Sequence, residues 1–247
     1  MSGASDPGGG RGQDRSPVRV LREQAADFWL ARGAVAAIAG LQLLASARVS
    51  VGPKLLAPGL ELALLIPLSI GTALTHRGAR TAGGVAHWDA LIRNGRRLRW
   101  LALALTAIVS LVNLGSLALL IREILRGEAE GGEALLLDAA AIWLTNIIAF
   151  ALWFWSLDRG GPAALSVGEA GQPDFLFSGM LRDAGTGADW RPGFIDYLFL
   201  GFTNATALSP ADTLPLTGRA KLLMMLQACI SLLTIVVVAA RAVNILK

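Results

Sequence analysis

One cysteine and two histidines are all that the 247-residue chain offers toward metal, disulfide or imidazole chemistry. A lone Cys229 excludes an intramolecular disulfide framework and any multi-cysteine zinc or iron–sulfur site, and it reads as a small apolar residue inside a helix. His76 and His87 share no metal-binding spacing, and His87-Trp88-Asp89 reads as an interfacial anchor. The patterns GxxxxGK[ST], HExxH, GxSxG and CxxC are all missing, so neither an enzyme, a metal site nor a soluble cofactor is expected. Charge is scarce as well. Only 16% of residues are charged, against roughly 25% in an average soluble domain, and 54% are hydrophobic.

What is present is apolar length. Leu101 to Ile121 are 21 consecutive uncharged residues, Ala139 to Leu157 are 19 and Leu222 to Ala240 another 19, each near the roughly 20 that cross a bilayer. Phe28 to Ala47 forms an earlier apolar block that contains Arg32 beside Trp29, a pair suited to snorkelling at an interface. Ala45-Ser46-Ala47 mimics a signal-peptide cleavage site, but the long polar leader and the later spans favour a retained helix. Leu55 to Thr75 holds ten Leu or Ile residues, worth about 3 to 6 kcal/mol of insertion against about 3 for Glu61.

The expected fold is therefore all-α, a polytopic membrane helix bundle in contact with lipid. Residues 1–27 read as a disordered polar tail, 28–157 as a four-helix transmembrane region, 158–192 as a polar loop and 193–247 as a hairpin with a final span. The segment Gly193 to Pro210 is short for a crossing and suits a re-entrant helix. Re-entry gives five spans and an external C-terminus; a full crossing gives six spans with both ends cytoplasmic.

Orientation follows from basic residues. Arg11, Arg15, Arg19, Arg22 and Arg32 edge the leader, and Arg77, Arg80, Arg93, Arg96, Arg97 and Arg99 follow the second block. Both regions fall on the cytoplasmic side by the positive-inside rule, and the 158–192 segment falls there with them. Topology and anionic headgroups explain the Arg77 to Arg99 stretch without nucleic acid. The acids Asp158, Glu169, Asp174, Asp183 and Asp189 lack a partner base or nucleophile and read as a solvated loop.

Polar residues within spans are costly in hydrocarbon and mark function or helix–helix bonding. Glu61, Asn113, Asn146, Arg241 and Asn244 are the candidates. Asn204-Ala205-Thr206 matches a glycosylation sequon but lies in an apolar segment and reads as structural.

Asp196-Tyr197-Leu198-Phe199-Leu200-Gly201-Phe202, then Thr206-Ala207-Leu208-Ser209-Pro210-Ala211-Asp212, Pro215 and Arg219 keep an ungapped spacing. This spacing resembles the pore domain of potassium channels, whose pore helix, filter and inner helix follow in that order. The resemblance implies permeation of an ion or small solute by a homo-oligomer, past Thr206, Ser209 and Asp212. Ser209, Pro210 and Ala211 replace the filter's glycine, tyrosine and glycine, so a ring of dehydrating carbonyls, and with it potassium selectivity, is not expected. The alternative is a non-conducting scaffold that binds partner membrane proteins, with Gly201, Ala205, Ala207 and Ser209 permitting close helix contact.

Leu21-Arg22-Glu23, Asp27-Phe28-Trp29, Trp153-Phe154-Trp155, Leu157 to Pro162, Pro173 to Phe177 and Phe202 to Ala207 resemble bacterial multi-spanning membrane proteins of uncharacterised activity. That resemblance implies membrane location, in a bacterial cytoplasmic membrane, and supplies no substrate.

Overall fold

A computed structural model of the chain describes residues 17–44, 85–126, 132–161, 171–184, 190–206 and 213–245, with short helical pieces between 58 and 70. Most of what it describes is helical. The elements are α1 (Pro17–Leu44), α2 (Val85–Arg126), α3 (Gly132–Leu157), a 3-10 turn (Asp158–Gly160), β1 (Phe175–Phe177), α4 (Ser178–Ala184), α5 (Phe194–Ala205), β2 (Thr213–Pro215) and α6 (Gly218–Ile245).

Among the described residues, three stretches are long and apolar enough to cross a membrane: 99–126, 134–160 and 218–239. They coincide with the three longest uncharged runs of the sequence. Their residue distribution is inverted relative to a soluble bundle. Leu111 and Leu114 of α2 and Leu222, Met225, Leu232 and Val236 of α6 are exposed, whereas Asn113, Asn146, Gln227, Ser231 and Thr234 are buried. Such long exposed aliphatic faces suit lipid rather than water, and buried polar groups suit helix–helix bonding within it. The chain is a membrane protein of helical class.

α3 is the central helix and packs against α1, α2, α5 and α6. α2 runs antiparallel to it, since Arg99 Nε donates to the Ser156 carbonyl at 2.9 Å and Asn113 Nδ2 to the Ile142 carbonyl at 3.2 Å. α5 is antiparallel as well: Phe194 meets Trp155 edge-to-face near one end and Phe202 meets Trp143 in the same way further along. α6 starts at the same end as α5, where Arg219 Nε donates to Asp174 Oδ1, and meets the far end of α5, with Asn204 Nδ2 donating to the Met224 carbonyl at 2.9 Å. One end of the bundle therefore gathers Asp27, Arg99, the end of α3 and the starts of α5 and α6.

Between α5 and its flanks the chain makes the only departure from an all-α plan among the described residues. β1 and β2 pair antiparallel, with Phe175 opposite Pro215, Leu176 opposite Leu214 and Phe177 opposite Thr213. The stretch before α5 is thus hydrogen-bonded to the stretch after it.

Three sequence expectations change. α1 starts at Pro17, a residue suited to a first helical position, so residues 17–27 are helical rather than part of a disordered tail. The basic stretch before Leu101 is not a loop from Val85 onward but a helical extension of α2, because no Pro interrupts it and Arg and Leu are good helix formers. The segment 158–192 contains a turn, a strand and a short helix rather than a solvated loop throughout. The span expected over Leu55 to Thr75 lies largely outside the described residues; Leu60 and Leu65 within it pack against the core.

Candidate functional site

The described polar groups concentrate around α5, at its mouth and near its tip. α5 begins with Gly193, which offers no side-chain oxygen to cap the helix's first N–H groups. Asp27 of α1 supplies it from elsewhere in the chain: its Oδ1 accepts from the Phe194 N–H at 2.9 Å. Asp196 Oδ2 accepts from the Gly193 N–H at 2.7 Å, so two carboxylates hold the N-terminus of α5. Asp27→Ala removes the cap that α1 lends to α5 and is expected to lower stability by about 1 kcal/mol, read as a lower unfolding temperature of the purified protein in micelles.

Two further carboxylates, Asp158 and Asp174, lie at the same level, 0% and 1% exposed. Their burial corrects the reading of these acids as solvated. The 3-10 turn that follows α3 makes it possible. Arg159, Gly160 and Gly161 have φ of 52°, 90° and 85°, a left-handed run that Gly tolerates and Arg rarely adopts. A Cβ on Gly161 would stand 2.8 Å from the Ser156 carbonyl oxygen. The chain reverses sharply there and leaves Asp158 facing the core, where Oδ2 accepts from the Tyr197 hydroxyl at 2.6 Å and Oδ1 from the Asp174 N–H at 2.6 Å.

Asp174 passes the connection to α6. Its carboxylate receives both Nε (2.7 Å) and Nη2 of Arg219 and the Thr217 hydroxyl at 2.6 Å. Thr217 in turn accepts from the Ala220 N–H at 3.3 Å, starting α6, and the Leu216 N–H donates to the Asp174 carbonyl at 2.8 Å. Around these bonds lies an aromatic cluster. Phe28 meets Trp155, Trp155 meets Phe194, and Phe175 meets Phe154 and Phe177, with Phe177 also against Tyr197 and Trp190. Each such pair adds about 0.5 to 1.5 kcal/mol beyond its buried area. The mouth is an interlocked collar joining α1, α3, α5 and α6.

A second polar layer meets the far end of α5. Gln227 of α6, fully buried, donates to the Gly201 carbonyl at 2.7 Å and accepts from Asn204 Nδ2 at 2.8 Å. Asn146 of α3 donates to Ser231 Oγ at 2.7 Å and to the Gln227 carbonyl at 3.3 Å. Gly201 lets α5 approach α3 closely, since a Cβ there would stand 3.0 Å from the Ile147 carbonyl oxygen.

The structure brings some of the sequence candidates together and separates others. Asn146 joins the layer at the tip of α5, whereas Asn113 bonds α2 to α3 apart from that layer. Thr206 closes α5, its hydroxyl donating to the carbonyls of Phe202 and Thr203. Asn204 is a helix–helix contact, as its apolar surroundings imply. Glu61 and the filter-like residues Ala207, Leu208, Ser209, Pro210, Ala211 and Asp212 lie outside the described residues, as do the side chains of Arg241 and Asn244. Cys229 lies in α6 and is exposed. Sequence reasoning missed Asp158, Asp174, Gln227 and Thr217 as partners of the hairpin. Their spacing carries no motif; only the intolerance of hydrocarbon for an unpaired Gln227 in a span pointed at one of them.

Compared with protein-family models, with curated proteins and with solved structures, the chain matches none.

Proposed function

We propose that residues 193 to 217 form a re-entrant hairpin in a five-span membrane protein, and that copies of the chain assemble so that residues 206–212 line a path for an ion or small solute. The observation that carries this reading is the pairing of β1 with β2. Segments that are hydrogen-bonded to each other lie on one side of a bilayer, so α5 enters and the chain returns on that side. Twelve helical residues reach about 18 Å, roughly half of the ~30 Å hydrocarbon thickness. The tip of α5 then stands near the midplane, where the Asn204–Gln227 contact lies.

The gathering of Asp27, Arg99 and Asp158 at one end agrees with the distribution of basic residues, which makes the mouth cytoplasmic and the C-terminus external. A bacterial cytoplasmic membrane is the location suggested by the resemblance to bacterial multi-spanning membrane proteins, and nothing in the distribution of charge bears on it. Ser209, Pro210 and Ala211 argue against potassium selectivity.

One observation favours a second reading, a non-conducting scaffold for partner membrane proteins. Every described polar side chain of α5 is bonded within the chain: Asp196, Tyr197, Thr203, Asn204 and Thr206 all have partners. Flux separates the two. Purified protein in liposomes under potassium, sodium and chloride gradients should conduct, and Pro210→Gly and Asp212→Asn should change the rate. Absence of flux from folded, inserted protein would leave the scaffold.

A further inference from the structure

Arg159 carries a guanidinium that the chain scarcely uses. Three consecutive residues of positive φ turn the chain after α3; two are glycines, Gly160 at 90° and Gly161 at 85°, but the first is Arg159 at 52°. A side chain disfavours that conformation, and such outliers persist where something else requires them. Gly or Asn would serve the turn, and nothing in it calls for an arginine. The backbone is pinned from the other side, with the Gly171 N–H donating to the Arg159 carbonyl at 2.9 Å.

The side chain is 17% exposed. Among the described residues its donors make one hydrogen bond, from Nη2 to the Met180 sulfur of α4 at 3.1 Å, and a thioether is a weak acceptor. Nε is buried without a partner, while Nη1 has none either but is not sealed off as Nε is. Asp158 offsets the charge, its Oδ2 standing 3.9 Å from Nε. That separation is past hydrogen-bond range, and the same oxygen already accepts from the Tyr197 hydroxyl. The other carboxylates of the collar hold other donors: Asp27 the Phe194 N–H, Asp196 the Gly193 N–H, and Asp174 both Arg219 and Thr217. Arg159 is thus balanced in charge but not in hydrogen bonds, and donors left unmade in a largely buried place are costly.

We infer that Arg159 anchors a site for a phosphate-type oxyanion, which takes the Nη1 and Nη2 edge in two parallel N–H···O bonds and displaces the Met180 sulfur from Nη2. The planar fork fits two oxygens of one oxyanion, and the unbranched Met180 side chain is flexible enough to give way. Asp158 holds the guanidinium from its Nε side. The oxyanion comes either from a soluble phosphate or from a phospholipid headgroup. The site stands whether the hairpin conducts or not.

The test uses the whole protein in a nonionic detergent at constant ionic strength, with thermal unfolding followed by circular dichroism. For a dissociation constant on the order of 1 mM, replacing chloride by about 10 mM inorganic phosphate should raise the unfolding temperature by about 3 to 6 °C. Arg159→Gly should lose that shift, yet unfold no lower than the wild type in chloride, because relief of the left-handed strain offsets the larger unfolded-state freedom of Gly. Arg159→Lys, a cation without the fork, should keep a smaller shift. Phosphatidylglycerol against phosphatidylcholine in the micelles separates the sources: a shift with the anionic lipid alone supports a headgroup site, and a shift with inorganic phosphate supports a soluble oxyanion. No shift with either in the wild type would overturn the site, as would a shift that survives in Arg159→Gly. An Arg159→Gly protein that unfolds well below the wild type in chloride would make the guanidinium a structural tie and overturn it as well.

Discussion

Asp158→Ala is expected to destabilise the protein by about 2 to 5 kcal/mol, because it strands two buried donors at once, the Tyr197 hydroxyl and the Asp174 N–H. Neither has another partner in the collar, and water has no access to a residue that is 0% exposed. Asp158→Asn should cost less, since one carbonyl oxygen remains to accept. Tyr197→Phe should fall between wild type and Asp158→Ala. In the double variant Asp158→Ala, Tyr197→Phe the two losses should not add, because the hydroxyl stranded by the first change is absent in the second. Thermal unfolding of the four proteins in one detergent measures this; fully additive losses would show that the two side chains act independently.

The second large effect concerns the approach of α5 to α3. Gly201→Leu places a branched side chain where the Ile147 carbonyl and Ala151 already stand, 3.0 and 3.6 Å from the position of a Cβ. Overpacking of this kind costs about 1 to 3 kcal/mol, and here it also pulls the Gly201 carbonyl away from Gln227. Gly201→Ala behaves differently. Replacing Gly in a helix gains about 1 kcal/mol in propensity, and a lone methyl at 3.0 Å needs a shift of only a few tenths of an ångström. A small net change for Ala with a large loss for Leu is the expected pattern, measured by the same unfolding series.

How much of this was legible beforehand depends on the kind of signal. Apolar length is a local property, and the runs from Leu101, Ala139 and Leu222 predict the three membrane-length helices of the structure. Gly201 and Ala205 are small residues inside an apolar segment, and the close approach of Gly201 to α3 and the burial of Ala205 follow from that composition. Polar bonds between helices were only half readable. Asn146 announces itself by its cost in hydrocarbon, but nothing local says that its partner is Ser231, 85 positions away.

The collar was the least readable part. Asp158 and Asp174 sit among Gly and Pro, the composition of an exposed loop. Their burial depends on a left-handed turn at Arg159 to Gly161 and on two strands of three residues each. Strands that short give no periodicity to detect. Asp27 likewise caps a helix 167 positions away, a tertiary substitute for the N-cap side chain that Gly193 lacks.

The most direct measurement places the two flanks of α5 relative to the bilayer. In a Cys229→Ser background, single cysteines at the exposed positions Ser178 and Leu216, before and after the hairpin, and at Ala134 at the start of α3 are labelled with a membrane-impermeant maleimide in sealed, oriented vesicles. A re-entrant hairpin requires Ser178→Cys and Leu216→Cys to react from the same side and Ala134→Cys from the other. Reaction of the first two from opposite sides would mean that residues 193 to 217 cross the membrane, and the hairpin would be wrong.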